Sequence, residues 1–156
     1  MACKQFPLLR WVVPLAVCAL TAGCLPAIYR GHMTRAADAW SIEVRMISDL
    51  IGSVQLTGEP TYAVPPDGYR WIWVFMNVRN TAAAPRTFGY DSCELPLDGA
   101  TVLPSFAGSV MSLFEDRKET YRPGEESYRR VIFAYPKGRY PATFRCGNML
   151  FEIPRS

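Results

Sequence analysis

The fold of this chain is decided by one stretch, Gly68-Tyr-Arg-Trp-Ile-Trp-Val-Phe-Met-Asn-Val-Arg-Asn80. It is rich in aromatic and β-branched residues and turn formers bound it on both sides, which predicts a β-strand. Side chains alternate between the two faces of a strand. One face is aliphatic and carries Ile72, Val74, Met76 and Val78. The other face carries Tyr69, Trp71, Trp73, Phe75 and Asn77. We therefore predict a central strand with one face in the core and the other at least partly covered.

The aromatic side chains of the second face, here called the aromatic row, form the candidate binding surface: Tyr69, Trp71, Trp73 and Phe75. If the aliphatic face is the core, these rings point outward. Exposed aromatic rows stack sugars or supply the anchors of protein interfaces. The alternative is that the row is packed as well, covered by a second sheet or by residues 104–114.

Strand signals recur on both sides of the central strand. Trp40–Met46 alternates between apolar and polar residues, and Ser127–Tyr135 is another strong strand pattern. Asp98-Gly99 and Gly147-Asn148 are two-residue hairpin signals. Glu115–Glu119 predicts a charged, solvated turn. The whole pattern predicts an all-β fold, an antiparallel β-sandwich of about seven to nine strands.

Three short features lie in the order expected of one kind of sandwich. A strand that follows a glycine ends in Val78-Arg-Asn80, a Pro123-Gly-Glu125 turn follows later, and the next strand contains Val131-Ile-Phe133. This arrangement resembles the immunoglobulin-like domains of uncharacterised bacterial lipoproteins and secreted proteins. The resemblance covers about residues 40–154 and implies an immunoglobulin-like sandwich domain, which we place at residues 39–156.

The spacing of disulfide and tryptophan that marks antibody domains is absent. Trp71 and Trp73 precede Cys93, whereas an antibody domain has its tryptophan between the two cysteines. We therefore do not predict a true immunoglobulin domain.

Residues 1–23 have the features of a secretion signal. Lys4 and Arg10 are their only charged residues, and an apolar stretch runs from Trp11 to Leu20. Leu20-Thr-Ala-Gly-Cys24 follows and resembles the lipobox of bacterial lipoproteins. The resemblance implies that a lipoprotein signal peptidase removes residues 1–23 and that the sulfur of Cys24 carries a diacylglycerol.

Two other interpretations of this segment stay open. Thr21 stands where leucine is commonest in a lipobox, so an ordinary signal peptide cut near Ala22-Gly23 is an alternative. The other alternative is an uncleaved membrane anchor. The apolar stretch is shorter than the roughly 20 residues that a spanning helix needs, which argues against that anchor.

The lipobox interpretation sets the predicted location and partners. Cys24 would anchor the chain to a bacterial membrane in the cell envelope, facing an extracytoplasmic space, and residues 24–38 would be a short tether. Without Lys4 and Arg10 the formal net charge of +3 falls to about +1. No basic stripe suggests nucleic acid. The expected partners are the lipid bilayer and an envelope protein or glycan.

The chain has five cysteines, and this interpretation sorts them. Cys3 and Cys18 leave with the signal, and Cys24 takes lipid. Cys93 and Cys146 remain as a pair in an oxidising compartment, which predicts a disulfide. This disulfide would close a loop of about 54 residues, which stabilises the fold by about 4 kcal/mol in the chain-entropy model. Two buried free thiols are the alternative.

The sequence offers no catalytic set. Its one histidine, His32, falls in the predicted tether, where a rigidly held base is not expected. Five carboxylates adjoin turn signals, which favours solvated surface charge: Asp91, Glu94, Asp98, Glu115 and Glu119. No cysteine or histidine cluster has metal-ligand spacing. Thioether ligands suit copper, but Met46 and Met76 fall on predicted core faces.

These observations favour a non-enzymatic envelope lipoprotein that acts as a binding or scaffolding module, with no metal and no cofactor. The second hypothesis is a carbohydrate or small-ligand binding protein that uses the aromatic row. A hydrolase built on the surface carboxylates is the weakest of the three.

Overall fold

The structure is a computed structural model that describes residues 27–50, 54–55, 62–109, 113–114 and 117–154. The predicted signal peptide, the lipidation site Cys24 and Glu115 of the predicted charged turn lie outside the described residues. Within the described ranges, no helix is long and apolar enough to span a bilayer.

The described chain is built from strands, with one 3₁₀ turn at Tyr90–Ser92. The strands are β1 (Ala27–Ala37), β2 (Trp40–Leu50), β3 (Val54–Gln55), β4 (Tyr62–Ala63), β5 (Tyr69–Asn80), β6 (Arg86–Gly89), β7 (Cys93–Leu97), β8 (Ala100–Val102), β9 (Phe106–Gly108), β10 (Leu113–Phe114), β11 (Lys118–Tyr121), β12 (Glu126–Pro136), β13 (Thr143–Cys146) and β14 (Met149–Glu152).

The strands form a β-sandwich, which confirms the predicted fold class, but the described residues contain fourteen strands, several of them only two to four residues long, rather than the predicted seven to nine. A six-stranded sheet has the order β1-β2-β5-β12-β9-β10, and a four-stranded sheet has the order β14-β13-β7-β8. Strands β11 and β6 form a two-stranded ribbon, and β3 pairs with β4. The pairs are antiparallel.

The central strand is β5. It pairs with β2 from Trp71 to Asn80 and with β12 from Tyr69 to Arg79. Its aliphatic face is the core face, because all four aliphatic side chains are fully buried: Ile72, Val74, Met76 and Val78. They pack against residues of the four-stranded sheet, among them Leu95, Phe144 and Phe151.

The core face of β5 ends in a buried polar side chain at each end of the strand. Arg70 is 5% exposed, and its guanidinium donates to the carboxylate of Asp49 and to the carbonyl oxygen of Arg139. The Arg70 guanidinium also lies 4.4 Å from the ring centre of Tyr140. This end of β5 is thereby joined to β2 and to the loop after β12.

At the other end of β5, the amide of Asn80 is fully buried and makes three hydrogen bonds. Its Nδ2 donates to the carbonyl oxygens of Ala84 at 2.9 Å and Tyr121 at 3.0 Å. Its Oδ1 accepts from the backbone N–H of Ala82 at 2.9 Å. The Asn80 side chain therefore forms hydrogen bonds with backbone groups of the loop after β5 and of the last residue of β11.

The four-stranded sheet contains the disulfide predicted from the sequence. Cys93 on β7 and Cys146 on β13 are direct register partners, their Cα atoms are 3.9 Å apart, and both are fully buried. The prediction of a Cys93–Cys146 disulfide is confirmed.

The predicted tether over residues 24–38 is wrong for residues 27–37. These residues form β1, the edge strand of the large sheet, paired with β2 through Ala37↔Trp40. The sandwich therefore begins at least as early as Ala27 rather than at residue 39. His32 consequently lies on a paired strand and not on a tether.

Two further predictions were wrong: that Met46 faces the core and that Glu119 lies in a turn. Register shifts in β2 between Val44 and Met46, so Met46 faces away from the core and Ile47 is fully buried in its place. An extra residue in one strand reverses the face of every residue after it. Glu119 lies on β11 rather than in the predicted charged turn, because Lys118–Tyr121 pairs with β6.

The buried amide of Asn80 generates a test of this fold. Asn80→Ala leaves two carbonyl oxygens and one N–H without their partner, so we expect the free energy of unfolding to fall by about 2–4 kcal/mol. Asn77→Ala is the matched control, since Asn77 is half-buried and bonds one carboxylate; it should cost less than about 1 kcal/mol. Urea denaturation measures both, and equal losses would contradict the assigned role of Asn80.

Candidate functional site

The candidate site lies on the outer face of the six-stranded sheet, the face turned away from the four-stranded sheet. Strand register aligns residues of successive strands into rows across this face. One row contains Arg30, Met46, Phe75, Arg130 and Gly108. The next row contains Thr34, Glu43, Asn77 and Tyr128.

Two β-bulges coincide between these rows. In β1 the register shifts between Arg30 and Met33, which places Gly31 and His32 opposite the Arg45 region of β2. Arg45 is itself the extra residue where β2 shifts against β5. Bulges re-aim side chains and are common next to functional sites. Here they turn His32 and Arg45 onto the outer face.

The bulges border an open cleft of about 400 Å³, here called the arginine cleft. It is lined by Arg30, Gly31, His32, Arg45, Met46 and Tyr128. A Cβ atom on Gly31 would come within 2.5 Å of the Tyr29 hydroxyl oxygen, so glycine lets the Tyr29 ring lie close to β1 at this point.

Glu43 is the carboxylate beside the arginine cleft, and three neighbours bond it. It accepts from His32 Nδ1 at 2.6 Å, from Asn77 Nδ2 at 2.9 Å and from Arg45 at 3.3 Å. The hydrogen bond from His32, aided by Arg45 and Asn77, holds the pKa of the Glu43 carboxyl below its usual value. An ionised carboxylate only accepts, so Nδ1 of His32 carries a proton.

Aromatic rings support the cleft from below. Phe75 stacks on Tyr128 with ring centres 6.1 Å apart, and Tyr128 is 41% exposed. In the same region the guanidinium of Arg130 lies 4.9 Å over the ring of Trp73. Burial lowers the pKa of Arg130. The stacked pairs fix the positions of the Tyr128 ring and the Arg130 guanidinium on the outer face.

This arrangement suits an anionic ligand. Arg30 and Arg45 bring two guanidinium groups to the cleft, whereas Glu43 brings one carboxylate whose oxygens already accept three hydrogen bonds. Guanidinium groups match the geometry of phosphate and carboxylate oxygens. Tyr128 and Met46 add an apolar wall, so the cleft favours an anion attached to a partly apolar molecule.

The aromatic row predicted as a binding surface is mostly covered. Trp71 is 3% exposed and Phe75 is 5% exposed, whereas Tyr69 is 39% exposed. Trp71 packs with Ile132 and meets Phe106 edge-on at 5.6 Å between ring centres. The alternative that residues 104–114 help to cover the row is thus correct. The row is not an open stacking platform.

A second cluster of titratable groups links the β6–β11 ribbon to β12. Tyr90 and Tyr121 donate to Glu119 Oε2 at 2.9 and 2.8 Å, and Arg129 Nε donates to the same oxygen at 2.8 Å. Hydrogen bonding from Arg129 lowers the pKa of Glu119, and burial raises the pKa values of both tyrosines. These groups satisfy one another, so we assign the cluster a structural role.

The remaining described carboxylates of the predicted surface set form ion pairs with arginines. Asp91 pairs with Arg117 at 2.9 Å, Glu94 with Arg145 at 3.1 Å and Asp98 with Arg139 at 3.1 Å. Within the described ranges, no group of three or more histidine, cysteine, aspartate or glutamate side chains is arranged to hold a metal ion.

Sequence reasoning missed the cleft residues Arg30, His32 and Arg45. Two signals pointed to them. A lone glycine within a strand indicates a bulge, and Gly31 is such a residue. The adjacent apolar pair Met46-Ile47 breaks the alternation of β2, which is the mark of the second bulge.

Comparison with known proteins shows similarity of fold. No protein-family model matches the chain, and no curated protein matches it. An uncharacterised β-sandwich protein from Clostridium difficile 630 has 16% sequence identity and a TM-score of 0.54, over 81% of this chain and 93% of that chain. A conserved hypothetical protein from Bacillus anthracis has 11% identity and a TM-score of 0.53, over 81% and 95%.

A functionally unknown protein from Listeria monocytogenes EGD-e has 11% identity and a TM-score of 0.50, over 80% of this chain and 82% of that chain. At such low identities these likenesses concern the fold alone. The predicted immunoglobulin-like family and the predicted lipid anchor stay predictions.

Burial of the aromatic row generates a stability test. Trp71→Ala removes a ring that is 3% exposed, so we expect the free energy of unfolding to fall by about 3–5 kcal/mol. Tyr69→Ala is the control from the same row, and because Tyr69 is 39% exposed it should cost less than about 1 kcal/mol. If Trp71→Ala left stability unchanged in urea denaturation, the ring would be exposed in solution.

Proposed function

We propose that this chain is a non-enzymatic binding module of a bacterial cell envelope, anchored by lipid on Cys24 and facing an extracytoplasmic space. The observation that carries the binding role is the arginine cleft. Among the described residues, the guanidinium groups of Arg30 and Arg45 and the ring of Tyr128 line it, and the carboxylate of Glu43 lies beside it. The ligand carries an anionic group, and anionic groups occur among envelope glycans, proteins and lipids.

The lipid anchor is supported by sequence and by distance. Leu20-Thr-Ala-Gly-Cys24 follows an apolar stretch, and Ala27, only three residues after Cys24, begins β1. A fully extended chain spans at most about 11 Å between the Cα atoms of these two residues. A lipid on Cys24 would therefore hold the sandwich directly at the membrane surface.

The non-enzymatic part of the proposal rests on the composition of the cleft. Among the described residues, its lining contains no serine, threonine or cysteine that could act as a nucleophile. His32 of the cleft bonds Glu43, as a catalytic base bonds the carboxylate that orients it. Among the described lining residues, no serine, threonine or cysteine nucleophile accompanies this pair. A stacking function for the aromatic row is not proposed, since Trp71 and Phe75 are buried.

Replacement of Cys24 tests the anchor. Cys24→Ser should remove the acyl mass and shift the protein from the membrane fraction to the soluble fraction, because two acyl chains account for stable attachment. Cys18→Ser makes the same change within the signal and should keep both the lipid and the membrane location. Mass spectrometry of the N-terminus with membrane fractionation measures both. A wild-type protein without lipid, together with a membrane-bound Cys24→Ser variant, would contradict the anchor.

A further inference from the structure

We propose that the arginine cleft binds the phosphate of an anionic phospholipid headgroup in the same leaflet that holds Cys24. The inference deepens the proposed function and rests on it for the position of the domain at a membrane. It names the lipid as the cleft's ligand and gives the sandwich a second, electrostatic contact with the bilayer.

The first argument is proximity along the chain. Arg30 is six residues after Cys24 and lies on β1, the strand that leads away from the anchor. An extended chain places the two Cα atoms at most about 22 Å apart. Strand β1 is the edge strand of its sheet, and it contributes Arg30, Gly31 and His32 to the lining of the cleft.

The second argument is charge. Arg30 and Arg45 line the cleft, and the carboxylate of Glu43 accepts hydrogen bonds from two lining residues, His32 and Arg45. The Glu43 oxygens already accept three hydrogen bonds. Arg45 donates one of them, at 3.3 Å. A guanidinium has five N–H donors, so Arg45 keeps donors for a phosphate oxygen. Anionic bilayers attract basic side chains held at their surface.

The third argument is the neighbouring apolar surface. Tyr128 presents a 41% exposed ring beside the arginines, and Phe75 holds that ring by stacking at 6.1 Å. Tyrosine is enriched at the level of lipid headgroups, where one part of the ring is apolar and its hydroxyl is hydrated. Met46 forms part of the cleft wall. A free phosphate ion would use the arginines alone, whereas a lipid headgroup also uses this apolar wall.

Two exposed arginines of the sheet lie outside the lining of the cleft. Arg79 on β5 is exposed and lies directly opposite Glu126 on β12. Arg35 on β1 is exposed and bonds the backbone carbonyl of Thr34. These two arginines match the charge of the cleft pair without lining the cleft, so they provide a control of equal charge.

The test uses the chain from residue 24 with Cys24→Ser, exported behind an ordinary secretion signal, so that no acyl chain contributes. This chain keeps all the described strands. It should sediment with vesicles of phosphatidylglycerol and phosphatidylcholine, and not with vesicles of phosphatidylcholine alone. Arg30→Gln with Arg45→Gln should weaken the binding about 10–30-fold. Arg35→Gln with Arg79→Gln should weaken it less than about threefold.

Two further variants separate binding from folding. Arg30→Lys with Arg45→Lys keeps both charges and should retain most of the binding, and the thermal midpoint of each variant reports whether it is folded. Glu43→Gln removes the carboxylate beside the cleft and should tighten vesicle binding about fivefold. A structural role for these residues alone would not produce tighter binding.

The outcomes are distinct. Equal weakening by the two double variants, or equal binding to both kinds of vesicle, would overturn the proposal. Binding of glycerol 3-phosphate in solution without vesicle binding would overturn it in favour of a soluble anion. Selective capture of an acidic envelope protein or glycan, with no vesicle binding, would do the same. Acylation of Cys24 is measured separately by mass, so loss of the anchor hypothesis leaves the vesicle result intact.

Discussion

The rest of the structure depends on burial of the central strand β5 (Tyr69–Asn80) on both faces. Its aliphatic face is fully buried against the four-stranded sheet, and Trp71 and Phe75 on its other face are 3% and 5% exposed. A strand that is apolar on both faces must have neighbours on both edges and cover on both faces. Strands β2 and β12 supply the edges, pairing with β5 over nearly its whole length.

Both ends of β5 are fixed by polar side chains on the same face as the aliphatic core. Arg70 joins one end to Asp49 and to the loop that contains Arg139, and Asn80 joins the other end to the loop after β5. A buried ion pair contributes little net stability, but loss of one partner is costly, so such residues set register more than they add stability. Arg70 and Asn80 thus mark the two ends of the apolar core face of β5.

The arginine cleft follows from how β1 and β2 depart from this regular centre. The two bulges lie on the edge strand β1 and on its neighbour β2, and an edge strand tolerates irregular pairing. Bulges and arginines on β1 also discourage a further strand from pairing with that edge. The same irregularity that protects the edge turns His32 and Arg45 outward, onto the face that carries the proposed binding site.

The sequence predicted the parts of the fold that depend on local pattern. The strand β5, the strand at Trp40, the sandwich class and the Cys93–Cys146 disulfide are confirmed. The strand β1 was missed because its bulges remove the alternation on which strand prediction relies. The cover over Trp71 comes from Phe106 and Ile132, which are distant in sequence, so periodicity could not reveal it. The cleft could not be predicted from any one segment, because its lining comes from three strands, β1, β2 and β12.

Native-state hydrogen exchange tests most directly whether β5 is the centre on which the rest depends. Amides of β5 between Ile72 and Val78 are expected to exchange only by global unfolding, with an opening free energy equal to that from urea denaturation. Amides of the edge strand β1 should exchange by local opening at lower free energy. If β5 exchanged by local opening while β1 required global unfolding, the central role of β5 would be contradicted.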